Sequence, residues 1–250
     1  MVGSVVMNGM VLSAMPMGEY DKRLTILTAE HGKISAFAKG ARKPNSPLLA
    51  CTQPFSFGEF TLYAGRTSYT VTSAQIVSYF PGLREELSKV YLGMYFCEFA
   101  DYFTREGNDE REVLKLLFQS LRALESETFD DRLVRRVFEL KLISIEGEAP
   151  QVFECTCCGA KEELMYFSLR KDGLLCECCK RAEADVRLLS AAASYAMQYI
   201  VSTPPAQLYR FSLKEEVLAE LEAVVEKYIQ KHVNHEMKTL QVLQEMEFLV

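Results

Sequence analysis

The chain has 250 residues, 49% of them hydrophobic and 25% charged, which is typical of a globular protein with a sizeable buried core. It has no apolar run long enough to span a bilayer, and no signal-like segment follows Met1, so we expect a cytoplasmic protein whose thiols stay reduced. The formal net charge of −6 argues against a generic nucleic-acid binder.

The charge is distributed unevenly along the chain. Residues 1–80 contain seven Lys and Arg against four Asp and Glu, a net charge of +3. The remainder is acidic, with a net charge of −5 over residues 81–150 and −4 over residues 151–250. A basic N-terminal third beside an acidic remainder predicts a polyanion-binding module joined to a second, different part.

Short apolar and β-branched runs dominate the first 80 residues and predict five strands. The runs lie at residues 5–15, 23–28, 34–39, 55–63 and 68–78. Gly9 interrupts the first run, and the apolar alternation changes phase across Gly58 and Glu59, as β-bulges would require. Five strands with such bends predict a small closed barrel over residues 1–80, with a proline-rich connecting loop at 40–54.

Beyond Pro81 the apolar spacing becomes helical. The predicted helices cover residues 83–104, 109–125, 129–146 and 187–202, and a last clear helix begins at Ser212. Glu215 follows Ser212 by three residues, which is a capping-box signature. We therefore predict a helical domain over residues 81–250, with a cysteine-rich insertion at about 151–182.

Six cysteines of that insertion lie close together in the sequence. Two C-x2-C pairs, separated by seventeen residues, predict a structural zinc site made by Cys155, Cys158, Cys176 and Cys179. Cys157 and Cys178 are left as second-best ligands or free thiols, and Cys51 and Cys97 as buried apolar side chains. A redox or disulfide device is the alternative for the cluster. Four thiolates close the coordination sphere, so one structural ion is expected rather than a catalytic metal.

No sequence motif supports catalysis. We find no P-loop, no G-x-S-x-G and no G-x-G-x-x-G after a strand, and acidic pairs such as Asp130 and Asp131 are typical of helix N-termini. His232 and His235 are interpreted as one core-edge and one exposed histidine rather than as ligands. No catalytic residue is therefore assigned.

The basic residues of the first 80 fall on or beside one side of the predicted barrel. A five-stranded barrel of this kind binds oligonucleotides on its strand 2–3 face and through neighbouring loops. The candidate DNA-binding residues are Lys22, Arg23, Lys33, Lys39, Arg42, Lys43 and Arg66. The alternative is that these are solubilising surface charges. Phe37 could stack a base, but we favour a core position for it because a one-residue register shift moves it inside.

Several segments together resemble the bacterial recombination mediator family RecO. The resemblance runs through GEYDKRLTILTAEHGKISAFAKGARKPNS (18–46) and TQPFSFGEFTLY (52–63), then RRVFELKLISIEGEAP (135–150) before the first cysteine pair. It resumes with FSLRKDGLLCECC (167–179) and LKEEVLAELEAVVEKYIQKHV (213–233). These segments occur in the family's order and cover nearly the whole chain.

The resemblance implies a multidomain α+β fold: an N-terminal OB-fold β-barrel, then an all-α helical domain carrying a four-cysteine zinc-ribbon-like element. It implies a nucleoid-associated protein that binds single- and double-stranded DNA and anneals complementary strands. With RecR, such a protein helps RecA replace single-strand-binding protein. The resemblance places the DNA contacts on the basic residues of the 18–46 segment, whereas Arg66 is inferred from its loop. A zinc-containing protein- or RNA-binding scaffold and a Mg-dependent nuclease remain as alternatives.

Overall fold

The computed structural model of the chain describes residues 3–66 and 68–247. The chain forms two compact units: Met1–Ser126 together with Met237–Val250, and Glu127–Glu236. The first unit thus contains two helices from the middle of the chain and one from its end, in addition to the strands. The division of the chain into domains at residue 80 stays a prediction.

Five strands of the first unit close into a barrel, which confirms the predicted OB-like architecture. They are β1 (Gly3–Met17), β2 (Asp21–Thr28), β3 (Gly32–Ala38), β4 (Phe57–Ala64) and β5 (Tyr69–Ser78). Their order around the ring is β1-β2-β3-β5-β4, and β4 pairs back with β1. All neighbours are antiparallel except β3 and β5.

The barrel core follows the two-residue period of its strands. Along β3, Ile34, Ala36 and Ala38 are buried, while Lys33, Ser35 and Phe37 point outward. The preference for Phe37 in the core is therefore wrong. Antiparallel pairing of β3 with β2 sets the register, and Phe37 lies on the outer face opposite Arg23.

The two predicted bulges had different outcomes. The pairing of β4 with β5 does shift register between Phe57 and Gly58, close to the predicted position. The pairing of β1 with β2 shifts between Val11 and Ser13 and is regular at Gly9. Gly9 is needed for another reason, because a Cβ there would lie 2.6 Å from the Leu27 carbonyl oxygen.

Six α-helices lie within the described residues 3–66 and 68–247. They are α1 (Leu87–Phe103), α2 (Arg111–Glu125), α3 (Asp131–Ile145), α4 (Ala191–Ser202), α5 (Glu215–His232) and α6 (Lys238–Glu247). A 3₁₀ turn at Pro81–Arg84 precedes α1. None of these helices is long and apolar enough to cross a bilayer.

Two helix predictions need correction, and one helix was not predicted. α5 begins at Glu215, so its N-cap residue is Lys214 rather than Ser212, and the Glu215 carboxylate pairs with Arg132 instead of forming a capping box. Residues 186–188 form a strand, so the helix predicted from residue 187 begins at Ala191. No helix was predicted at the position of α6, which packs on α1 within the first unit.

The second unit consists of α3, α4 and α5 and a small inserted sheet, as predicted for the helical part. The sheet contains β6 (Tyr166–Ser168), β7 (Gly173–Leu175) and β8 (Val186–Leu188), in the order β7-β6-β8. The two cysteine pairs flank its first two strands in the sequence, and Phe167 of β6 and Leu174 and Leu175 of β7 are buried.

Candidate metal centre and nucleic-acid interface

The two C-x2-C pairs meet in space and form one four-cysteine cluster. The sulfur atoms of Cys155, Cys158, Cys176 and Cys179 all lie within 4.8 Å of one another. The Sγ atoms of Cys158 and Cys176 are 3.7 Å apart. A tetrahedral ion with Zn–S distances of about 2.3 Å requires sulfur pairs about 3.8 Å apart. The donor set and its spacing therefore fit a four-coordinate zinc ion.

Two tight backbone turns present these sulfurs. In the first turn the Gly159 N–H donates to the Cys155 carbonyl at 2.9 Å, and Gly159 has a φ of 75°, which favours glycine. In the second turn the N–H groups of Cys179 and Lys180 both donate to the Cys176 carbonyl, at 3.1 and 3.2 Å. Each turn thus holds its pair of cysteines close together.

The electrostatic environment differs between the cysteines of the cluster. Cys155 is the most buried sulfur donor, with 2% of its surface exposed. Burial disfavours its thiolate, but backbone N–H groups of Cys176, Cys158 and Cys157 donate to its sulfur. The balance lowers the pKa of the Cys155 thiol to about 6. The pKa of Cys179 is raised, first by its hydrogen bonds with Cys158 and Cys176. Four thiolates this close together would repel one another, and a bound cation offsets that repulsion.

The remaining cysteines and histidines lie outside this cluster. Cys157 and Cys178 are exposed, and Cys51 and Cys97 are buried as predicted. His232 contacts Glu148 through Nδ1 at 3.2 Å and Asp172 through Nε2 at 2.9 Å, which confirms its core-edge position. His235 is exposed, also as predicted.

The outer face of β2 and β3 brings together part of the predicted DNA-binding set. The Arg23 Nε atom donates to the Ser35 hydroxyl at 3.2 Å, and Arg23 lies opposite Phe37 in the ladder. Arg23 and Lys39 are exposed, and Phe37 is half-buried. A cation pair flanking a partly exposed aromatic ring can contact phosphates and stack one base.

The loops beside this face contribute two more exposed cations. Arg42 donates through Nη1 to the carbonyl oxygens of Gly18 and Glu19, each at 3.3 Å, which ties the loop after β3 to the β1–β2 turn. The Lys43 ammonium lies 5.5 Å from the centroid of the Tyr20 ring, and the Tyr20 residue is 43% exposed. Sequence reasoning missed Tyr20, although its position shortly before Lys22 and Arg23 was a usable signal.

Three predicted residues stand apart from this group. Lys22 is buried, and its ammonium donates to the carbonyl and hydroxyl oxygens of Thr52, both at 3.1 Å. Desolvation lowers the Lys22 pKa, and its ammonium holds the connecting loop rather than facing solvent. Lys33 is paired with Asp101 at 3.1 Å. Arg66 is exposed in the turn before β5. The DNA-binding role of all seven residues stays a prediction.

We call the group formed by Arg23, Phe37, Lys39, Arg42 and Lys43 the basic face. The outer surface of β2 and β3 supplies Arg23 and Phe37, and Lys39 directly follows β3. The loop after β3 supplies Arg42 and Lys43, and Arg42 binds this loop to the carbonyl oxygens of Gly18 and Glu19. The group combines four positive charges with an aromatic ring on the side of the barrel where oligonucleotides bind in this fold.

Comparisons with known proteins match both parts of the chain to one family. The family model described as Recombination protein O N terminal matches residues 1–80, and the model described as Recombination protein O C terminal matches residues 84–241. DNA repair protein RecO of Acetivibrio thermocellus is 34% identical over 227 residues, which is 90% of each chain. The Bacillus pumilus and Bacillus subtilis proteins of that name are 30% and 29% identical, over 96% of this chain and 93% of theirs. The chain belongs to the RecO family of DNA repair proteins.

Proposed function

We propose that this protein is a non-catalytic recombination mediator in DNA repair. It binds single- and double-stranded DNA, anneals complementary strands and helps load RecA onto DNA coated by single-strand-binding protein. The observation that carries this proposal is the basic face of the barrel, with four cations and an aromatic ring on two adjacent strands and their loop. Membership of the RecO family supports the choice of DNA as ligand.

Binding is electrostatic and largely independent of sequence. Arg23, Lys39, Arg42 and Lys43 contact phosphates, while Phe37 and Tyr20 offer ring surfaces to which any base can stack. Each phosphate neutralised on a single strand contributes about −0.7 to the slope of log affinity against log salt, so four contacts give a slope of about −2.8.

Annealing follows from the same surface. Two complementary strands repel each other through their phosphates, and a shared positive surface screens that repulsion while their bases remain free to pair. The protein needs no nucleophile or general base for this step, because no covalent bond is made or broken.

The partners proposed are RecR and single-strand-binding protein, and through them RecA. Contact with single-strand-binding protein brings the mediator to coated DNA, and the basic face then engages strand that becomes exposed. The proposal places the protein in the cytoplasm, with the nucleoid. These partners come from family membership alone, and no residue is assigned to them.

The four-cysteine cluster is proposed to hold one structural zinc ion. When bound, zinc supplies a four-coordinate cross-link between the two cysteine turns. The chain's own contribution is the pair of turns closed by the Cys155 and Cys176 carbonyls and the backbone N–H groups aimed at the Cys155 sulfur. A four-thiolate set has no open position for water or substrate, so the ion stabilises the insert and takes no part in DNA chemistry.

A charge-reversal experiment tests the basic face. Lys39→Glu with Lys43→Glu is expected to weaken the binding of a fluorescent oligothymidine and to reduce the salt slope by at least about 1.4, since two phosphate contacts are lost. The control is Arg84→Glu with Arg122→Glu, which makes the same change in net charge at exposed positions of the 3₁₀ turn and α2. Fluorescence anisotropy at several salt concentrations measures both quantities.

Three results would contradict the proposal. Equal losses in the two double variants would show that overall charge, and not the basic face, governs binding. Shortening of the labelled strand in the presence of Mg²⁺ would favour a nuclease, and preferential competition by duplex RNA would favour an RNA-binding scaffold.

A further inference from the structure

A polar groove lies beside the basic face, where the β2–β3 sheet meets the segment between α1 and α2. Its volume is about 370 Å³, and its charged and hydroxyl lining is Arg23, Thr25, Lys33, Ser35, Asp101 and Arg105, together with Glu106. Arg23 and Ser35 belong to the outer face of β2 and β3 as well as to the groove. The groove is therefore a continuation of the basic face within the first unit.

The walls of the groove are fixed to each other by the backbone. The Lys33 N–H donates to the Arg105 carbonyl at 3.1 Å, and the Gly107 N–H donates to the His31 carbonyl at 2.9 Å. Gly32 has a φ of 63°, and a Cβ there would lie only 1.9 Å from the Arg105 carbonyl oxygen. This close approach packs the backbone of β3 directly against the segment after α1, which fixes the backbone on both sides of the groove.

The Asp101 carboxylate lies in the groove and forms an ion pair with Lys33. Its carboxylate lies 3.1 Å from the Lys33 ammonium, and its backbone carbonyl accepts from the same ammonium at 2.5 Å. The Lys33 side chain is 25% exposed and the Asp101 side chain 47%, so both can be reached from solvent. The carboxylate therefore stands where a phosphate oxygen could contact Lys33.

We propose that this groove continues the DNA path beyond the basic face and that Asp101 competes there with DNA phosphate for Lys33. A phosphate entering the groove displaces the Asp101 carboxylate, while Arg23 and Arg105 offset the remaining charge. The competition limits affinity, which suits a protein that must release strands after annealing. This inference rests on the proposed DNA-binding function.

The Asp101→Asn substitution isolates the competition. It removes the negative charge but leaves the backbone carbonyl that positions the Lys33 ammonium. Exposed ion pairs are weak, and their loss is expected to raise affinity for oligothymidine by about 1.4- to 5-fold at low salt. The salt slope should become steeper by up to about 0.7, the contribution of one phosphate contact.

The matched control is Glu112→Gln. Glu112 is a carboxylate of the same unit, paired with Lys115 at 2.9 Å, and it does not line the groove. The net charge changes equally in both variants, so a long-range effect of charge would raise affinity in both. The double variant Lys33→Ala with Asp101→Asn should bind no more tightly than Lys33→Ala alone, because Asp101 acts through Lys33.

The outcomes separate this inference from the proposed function. Suppose that the wild type binds oligothymidine and that Lys39→Glu with Lys43→Glu weakens this binding. If Asp101→Asn then has the same affinity as the wild type or as Glu112→Gln, the competition is refuted and the proposed role of the basic face is retained. A gain that persists in the Lys33→Ala background would also overturn it. If the wild type binds no DNA at low salt, both proposals fail.

Discussion

Replacing a zinc ligand should have a different effect from replacing its neighbour in the sequence. Cys179 belongs to the cluster whose sulfurs lie within 4.8 Å, whereas Cys178 is exposed and outside it. We expect Cys179→Ser to lose zinc and Cys178→Ser to keep it. The two substitutions are chemically identical and one residue apart, so only the position of the sulfur distinguishes them.

The size of the effect follows from the number of ligands. Structural zinc sites in small domains bind with about 10–16 kcal/mol at neutral pH. If this free energy of binding is divided equally among four sulfurs, one ligand accounts for about 2.5–4 kcal/mol. That corresponds to about two to three decades in zinc affinity. Cys155→Ser should be at least as damaging, because Cys155 is the buried thiol that accepts three backbone hydrogen bonds.

Zinc content and competition with a chromogenic chelator measure this difference. The wild type and Cys178→Ser should each hold one zinc ion per chain. Cys179→Ser should lose its zinc at a chelator concentration about two to three decades lower than the concentration that the wild type requires. Thermal unfolding should show a destabilised second unit in Cys179→Ser only. Equal zinc loss in both variants, or a wild type without zinc when purified in its presence, would refute the assignment of the ligands.

Two further substitutions test the packing that positions these sites. The Glu139 side chain is 1% exposed and accepts a hydrogen bond from Arg136 Nη1 at 2.9 Å, so Glu139→Leu should lower the free energy of unfolding by about 3 kcal/mol. The control is Glu226→Leu. The Glu226 carboxylate lies 3.7 Å from Arg136 and its side chain is 45% exposed, so this substitution should lower the free energy of unfolding by less than about 1 kcal/mol. Gly32→Ala should lower the free energy of unfolding by more than about 2 kcal/mol, because Gly32 has a left-handed backbone and a Cβ there would clash with the Arg105 carbonyl oxygen. Gly3 has open space around it, so Gly3→Ala should be nearly neutral. Urea unfolding measures both pairs, and equal losses within either pair would contradict the reasoning.

Local patterns in the sequence were sufficient for much of the fold. Alternating apolar residues predicted all five barrel strands, and three- and four-residue spacing predicted α1 to α3 and α5. The α6 helix escaped prediction because part of its N-terminus is capped by a distant residue. The Glu98 carboxylate of α1 accepts from the backbone N–H groups of Lys238 and Thr239, at 3.0 and 2.9 Å. A cap supplied from more than a hundred residues away leaves no local signature.

For the candidate sites, the cysteine spacing by itself identified which four thiols form the cluster, because two short C-x2-C turns can meet around one ion with little help from the rest of the chain. The basic residues were different, since a cation's role depends on what surrounds it. Only the tertiary structure separated exposed Lys39 from buried Lys22 and from Lys33, which is paired with Asp101. Those differences arise from contacts between residues 30 and 68 positions apart, which the order of residues along the chain does not reveal.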